Sequence, residues 1–192
     1  MNRLIKRCAV LLAVSAAIAG NILPAISCDY HRGGSAGNRS PRAMEVIAAM
    51  RDPANAQALG GGPALAPRLV NLLGFHQATR KLQRLRESLE QAANEQRPQS
   101  SRFSLLFAEV GLWTRYVLDD KGVRIEIDTV GPGLTETVVT TGEAVMTAIA
   151  SGQLSPSEAY RRNLIVVDGA PVDRGEVLVW LRDALAVLQE RM

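Results

Sequence analysis

Thr135–Gly169 reads TETVVTTGEAVMTAIASGQLSPSEAYRRNLIVVDG, and its local signals change four times. Thr135–Val139 is rich in β-branched residues, which suit a strand. Thr140-Thr141-Gly142 follows, where a threonine can cap a helix, and Glu143 places a negative charge in the first turn. Ala144, Val145, Ala148 and Ile149 then recur at helical spacing, with Met146 beside them. Gly152 stops that helix. Ser155, Pro156 and Glu158 spell a capping box with proline at the first helical position, so a second short helix begins there. Leu164–Val167 is a strand of the buried type, and Asp168-Gly169 is a turn. Strand, helix, short helix and strand make a packing unit, with no catalytic constellation inside it.

On the N-terminal side of this unit the hydrophobic period is two. Phe103, Leu105 and Phe107 alternate with their neighbours. Leu112, Thr114, Tyr116 and Leu118 form one side of a second strand, with Trp113, Arg115 and Val117 on the other. Asp119-Asp120-Lys121-Gly122 reads as a hairpin turn, and Val123, Ile125 and Ile127 alternate with Arg124, Glu126 and Asp128 in a half-buried strand. Gly131-Pro132-Gly133 turns the chain into the opening stretch. Beyond Pro171, Val177, Leu178, Leu181, Leu185 and Leu188 stripe a helix predicted over Asp173–Met192, with Trp180 adjacent. The expected fold class is α+β: an antiparallel-rich sheet of about five strands with helices packed on one face, preceded by N-terminal helices.

Those N-terminal helices come from two segments. Met44, Val46, Ile47 and Met50 have helical spacing within Arg42–Met50, and Asp52-Pro53 ends that helix or begins another turn. Gly60-Gly61-Gly62-Pro63 breaks the chain; no strand precedes it and no Walker lysine follows, which argues against a phosphate loop. Ala66–Gln96 is a long helical candidate carrying Leu69, Leu72 and Leu73, then Leu82, Leu85, Leu89 and Ala92, with Gly74 placed to kink it. The second leucine cluster is too short for a coiled coil and suits a helix docked on its own domain. Arg97–Ser101 is the expected internal boundary.

The first 27 residues have the order of a secretory signal. Arg3, Lys6 and Arg7 precede an apolar run, Cys8–Ile18, that is too short to span a bilayer with margin, and Ala25-Ile26-Ser27 supplies small residues for cleavage. An uncleaved anchor or an ordinary buried helix is the plain alternative. Of two cysteines, Cys8 would leave with the signal, and a lone Cys28 makes no internal disulfide. Ala25-Ile26-Ser27-Cys28 resembles a bacterial lipobox, which implies acylation at Cys28 and attachment to a membrane through the N-terminus. A free thiol after simple cleavage is the other reading. Residues 29–41 are poor in apolar groups and read as a flexible tether. The predicted organisation is therefore signal 1–27, tether 28–41, helical segment 42–97 and α+β domain 98–192.

Composition narrows the function. Three of the 22 basic residues and none of the 19 acids lie in residues 1–27, so the remainder is formally neutral and offers nucleic acid no basic field. Aromatic residues make up only 4% of the chain, so a pocket would be aliphatic and base stacking is disfavoured. His31 falls in the tether and His76 on the long helix, leaving the sheet segment without histidine for a nucleophile–base pair. Asp119 with Asp120, Glu126 with Asp128, and Asp168 with Asp173 are acid pairs; the first is turn chemistry, and the second, on one face of a strand, either binds a cation or sits in solvent. No metal ligand set or cofactor motif emerges, and no catalytic residue is assigned.

The order of elements, with Gly152-Gln153-Leu154-Ser155-Pro156 leading through Ser157-Glu158-Ala159-Tyr160 to Leu164–Gly169, resembles the sterol-carrier-protein family, the type-two sterol-binding domain, over roughly residues 85–192. The resemblance implies an aliphatic tunnel between sheet and helices that takes a lipid or other long apolar molecule. The positions that fit are Phe103, Leu105 and Phe107 on the first strand, Val145, Met146 and Ile149 on the helix, and Leu181 and Leu185 on the last helix. Each also suits an ordinary core. Two functions stay open: a lipid-binding or lipid-shuttling lipoprotein of the cell envelope, exported to the periplasm or envelope, or an envelope accessory protein that binds a protein partner through its leucine-striped helix.

Overall fold

A computed structural model describes residues 41–60, 72–95, 101–133 and 135–190. The signal, Cys28 and nearly all of the tether lie outside the described residues, as does the Gly-rich break after Gly60. The helices are α1 (Pro41–Arg51), α2 (Pro53–Ala58), α3 (Leu72–Glu95), α4 (Glu143–Ala150), α5 (Pro156–Arg161) and α6 (Pro171–Glu190). The strands are β1 (Ser101–Phe107), β2 (Leu112–Asp119), β3 (Gly122–Ile127), β4 (Thr137–Thr141) and β5 (Ile165–Asp168). They form one sheet in the order β3-β2-β1-β4-β5. β1 and β4 are parallel, and every other neighbouring pair is antiparallel. The fold is α+β, as expected.

Local chemistry explains the hairpin. Asp119 Oδ1 accepts the Lys121 N–H at 3.0 Å, and Gly122 sits at φ 119°, where a side chain is disfavoured. That turn sets Leu118 opposite Val123 and Tyr116 opposite Ile125, so every apolar residue of β3 faces the same side as Phe103, Leu105 and Phe107. Over this first face lie α3 and α6, which pack on each other. The Tyr116 hydroxyl, fully buried, donates to the Leu82 carbonyl at 3.1 Å and ties β2 to α3. Leu82, Leu85 and Leu89 are buried in the same core as Phe103 and Leu181. The leucine stripe is thus consumed inside the protein and is not on offer to a partner. The helical segment and the sheet segment share one hydrophobic core.

The second face carries Leu106 and Thr140, both fully buried. It is met by α1 at β4 and β5. Asp168 pairs in register with Val138, out of phase with the first-face Val139, and Arg42 of α1 donates to both Asp168 oxygens at 3.1 and 3.3 Å. Ala43, Val46 and Met50 bury the inner side of α1. The acid pairs of the sequence resolve into surface ion pairs here: Asp119 with Arg124, Glu126 with Arg115, and Asp168 with Arg42.

Two helix caps differ from expectation. Ser155 Oγ does accept the Glu158 N–H at 3.2 Å, but the Glu158 carboxylate is held by Arg161 and Arg162, so the capping box is only half formed. At α4 the cap position is Gly142 rather than a threonine, and it has no side chain to offer. The acceptor comes from elsewhere in the chain.

Candidate functional site

The eight residues expected to line an apolar interior arrive together. β1 is the central strand and presents Phe103, Leu105 and Phe107 on the first face. α4 contributes Val145, Met146 and Ile149, and α6 contributes Leu181 and Leu185. All eight belong to one buried cluster, with Met146 the least covered at 4%. Tyr116 stacks on Phe103, ring centroids 5.0 Å apart, and burial pushes its phenol well above the usual range. Thr114 and Thr137 stand on the same sheet face, buried, and neither hydroxyl has a hydrogen-bond partner among the described residues. An unpaired buried hydroxyl is uncommon in native interiors.

A second place lies on the other side of α4, and the sequence reading did not mark it as a site. A half-open cleft of about 250 Å3 runs between α3, the β1–β2 turn and α4. Leu59, Val110, Ala144 and Ala148 supply apolar walls; Gln77, Lys81, Glu109, Glu143 and Gln153 supply polar ones. Successive helical residues turn by about 100°, so Ala144, Thr147 and Ala148 face away from Val145, Met146 and Ile149. The Lys81 ammonium meets the Glu143 carboxylate at 2.5 Å. Glu109, on the turn after β1, reaches across to the start of α4. Its Oε2 accepts the Glu143 N–H at 3.1 Å and its Oε1 the Ala144 N–H at 3.4 Å. It is the missing cap of α4. Among the described residues no cation pairs with it. Burial foremost, and also the charge of Glu143, push its carboxyl above the ordinary range; backbone N–H groups, its own among them, pull it only partly back. The available signal was one acid in the apolar run Phe103–Trp113, but sequence separation hid its partners.

His76 is exposed on α3, its ring edge-on to Phe75. No group of three or more metal-ligating side chains gathers among the described residues. No described helix is long and apolar enough to cross a membrane.

No protein-family model matches the sequence, and no curated protein shows significant similarity to it. Among solved structures, the chain is similar to sterol carrier protein 2, with 17% identity, coverage of 59% of this chain and 93% of that one, and a TM-score of 0.38. A conserved hypothetical protein from Thermus thermophilus, described as possibly a sterol carrier protein, gives 15% identity, coverage of 59% and 84%, and a TM-score of 0.36. The inverting sec-alkylsulfatase Pisa1 from Pseudomonas sp. gives 12% identity and a TM-score of 0.35; 49% of this chain matches, spanning 14% of the sulfatase. Likeness this remote carries no argument about what the chain binds or does.

Proposed function

We propose that this protein is a non-catalytic binder or carrier of a lipid or other long apolar molecule, attached to a membrane of the cell envelope by acylation at Cys28. One observation carries the binding part: three separate elements converge apolar side chains on one sheet face that also holds Thr114 and Thr137, whose hydroxyls have no partner among the described residues. A long apolar molecule with one polar group suits such walls. The anchoring part rests on the signal order and the lone cysteine of the sequence. Intact-mass measurement of membrane-extracted protein should give a chain starting at Cys28 with a lipid adduct, and a chain still starting at Met1 sinks that part.

Met146 tests the interior. Its flexible thioether suits an adaptable wall, and Met146→Gln keeps the length while adding an amide. In a closed, filled core that amide goes unpaired and costs about 1–3 kcal/mol of stability. In a binding interior with some access to water it is solvated, so Tm moves little while affinity for a fluorescent fatty acid falls. Lipid that co-purifies with the wild-type chain, identified by mass spectrometry, is the companion expectation. Strong destabilisation by Met146→Gln, together with no fatty-acid binding by the wild type, refutes the reading.

A further inference from the structure

We propose that the cleft between α3, the β1–β2 turn and α4 is a second binding site, separate from the apolar interior, and that it takes a small organic ammonium ion with a short alkyl chain. Among the described residues, three ionisable side chains line the cleft: Lys81, Glu109 and Glu143. Lys81 and Glu143 pair at 2.5 Å, while among the described residues Glu109 is met by backbone N–H groups and by no cation. When Glu109 is ionised, the described side chains of the walls sum to one net negative charge, set against the partial positive charge of the α4 N-terminus, in a partly dry space where attraction for a cation is stronger than in water. A carboxylate offers about four lone-pair sites, so the N–H groups of Glu143, Ala144 and Glu109 itself leave room for one further donor. An ammonium group has three donors to give.

Shape and lining narrow the ligand further. About 250 Å3 is small for a lipid chain. The apolar side chains Leu59, Val110, Ala144 and Ala148 share the cleft with the acid, which fits a short alkyl stem behind a charged head. Gln77 and Gln153 add amide groups for a polar substituent. Gly142 leaves no room for a Cβ, which would lie 2.5 Å from Met50 and 2.7 Å from Glu109 Oε1, so the carboxylate approaches the backbone closely at the helix start.

The probes are n-pentylammonium chloride and its neutral isostere 1-pentanol, added to the full chain at constant ionic strength. Pentylammonium should perturb the Glu143 and Ala144 amide NMR signals saturably, with pentanol binding at least about tenfold more weakly. Binding should weaken as pH falls and Glu109 takes up a proton. Glu109→Gln removes the charge and keeps the shape; affinity for pentylammonium should drop by about tenfold or more while the fold, followed by circular dichroism, persists. Should that variant not fold, Glu143→Gln serves instead, since it frees Lys81 as a competing cation and should weaken binding likewise. Equal binding of the alcohol and the ammonium ion, undiminished binding in whichever of these variants folds, or no saturable change in the wild type overturns the proposal. Fatty-acid binding is measured separately, so either site can fail without the other.

Discussion

Gly142 stands where β4 becomes α4 and has two neighbours in the space a side chain would need. Met50 of α1, itself buried, occupies one side and the Glu109 carboxylate the other. Gly142→Ala must therefore displace a filled contact or the cap of α4, and overpacking of this kind costs about 1–3 kcal/mol. Urea unfolding should show that loss. An unchanged midpoint would mean that Met50 and Glu109 move aside freely, and the cap would then count for little. The run Thr140-Thr141-Gly142 displays a good capping residue to anyone reading locally. The true acceptor is 34 positions upstream. Capping by an adjacent side chain is legible because geometry follows sequence spacing, whereas capping across the fold depends on where two strands end.

The same contrast separates the elements. The β2–β3 hairpin and the alternation of β1 to β3 were legible because their pairing partners are neighbours in sequence. The parallel β1–β4 pairing was not, since nothing local distinguishes a meander from a chain that crosses back over two strands. The crossing is pinned by Glu136. Its Oε2 accepts the Ser104 hydroxyl at 2.7 Å and the Gly133 N–H at 2.9 Å, and its other oxygen meets Arg115 Nε at 2.8 Å. Burial alone would raise this carboxyl, but the donors and the guanidinium outweigh it and hold it below the ordinary range. A depressed folded-state value contributes stability that is present above the ordinary glutamate range and lost as pH falls through the folded value. Stability measured by urea from neutral pH into the acid range should thus fall less steeply in Glu136→Gln than in the wild type. Parallel pH profiles for the two would rule out Glu136 as the acid-sensitive pin.

As a whole, the molecule is a sheet with helices on both faces, the second only partly covered, and the two sets differ in how they are attached. α3 to α6 bury the first face through a continuous core, whereas α1 reaches the second face chiefly at β4 and β5. The helix and the inward Val46 and Met50 of α1 were legible, whereas Met44, read in the same apolar set, is exposed; the face α1 would cover was not legible, because Leu106 and Thr140 look like the off-side of ordinary alternating strands. Val46 and Met50, four residues apart on one side of α1, are buried at 0% and 1%. If α1 is integral to the fold, truncating both removes contacts from a single cooperative unit, and Val46→Ala with Met50→Ala should cost about 3–6 kcal/mol in one transition. If α1 is instead a detachable strap, the main transition stays put and only the α1 amides lose hydrogen-exchange protection. The shared core and the Met50 contact at Gly142 favour the first outcome: α1 does not merely lie against the sheet but fills the corner where β4 hands over to α4. That corner also holds Glu109, so in the integral case loosening α1 should speed exchange at the Glu143 and Ala144 amides, a coupling a loose strap would not produce.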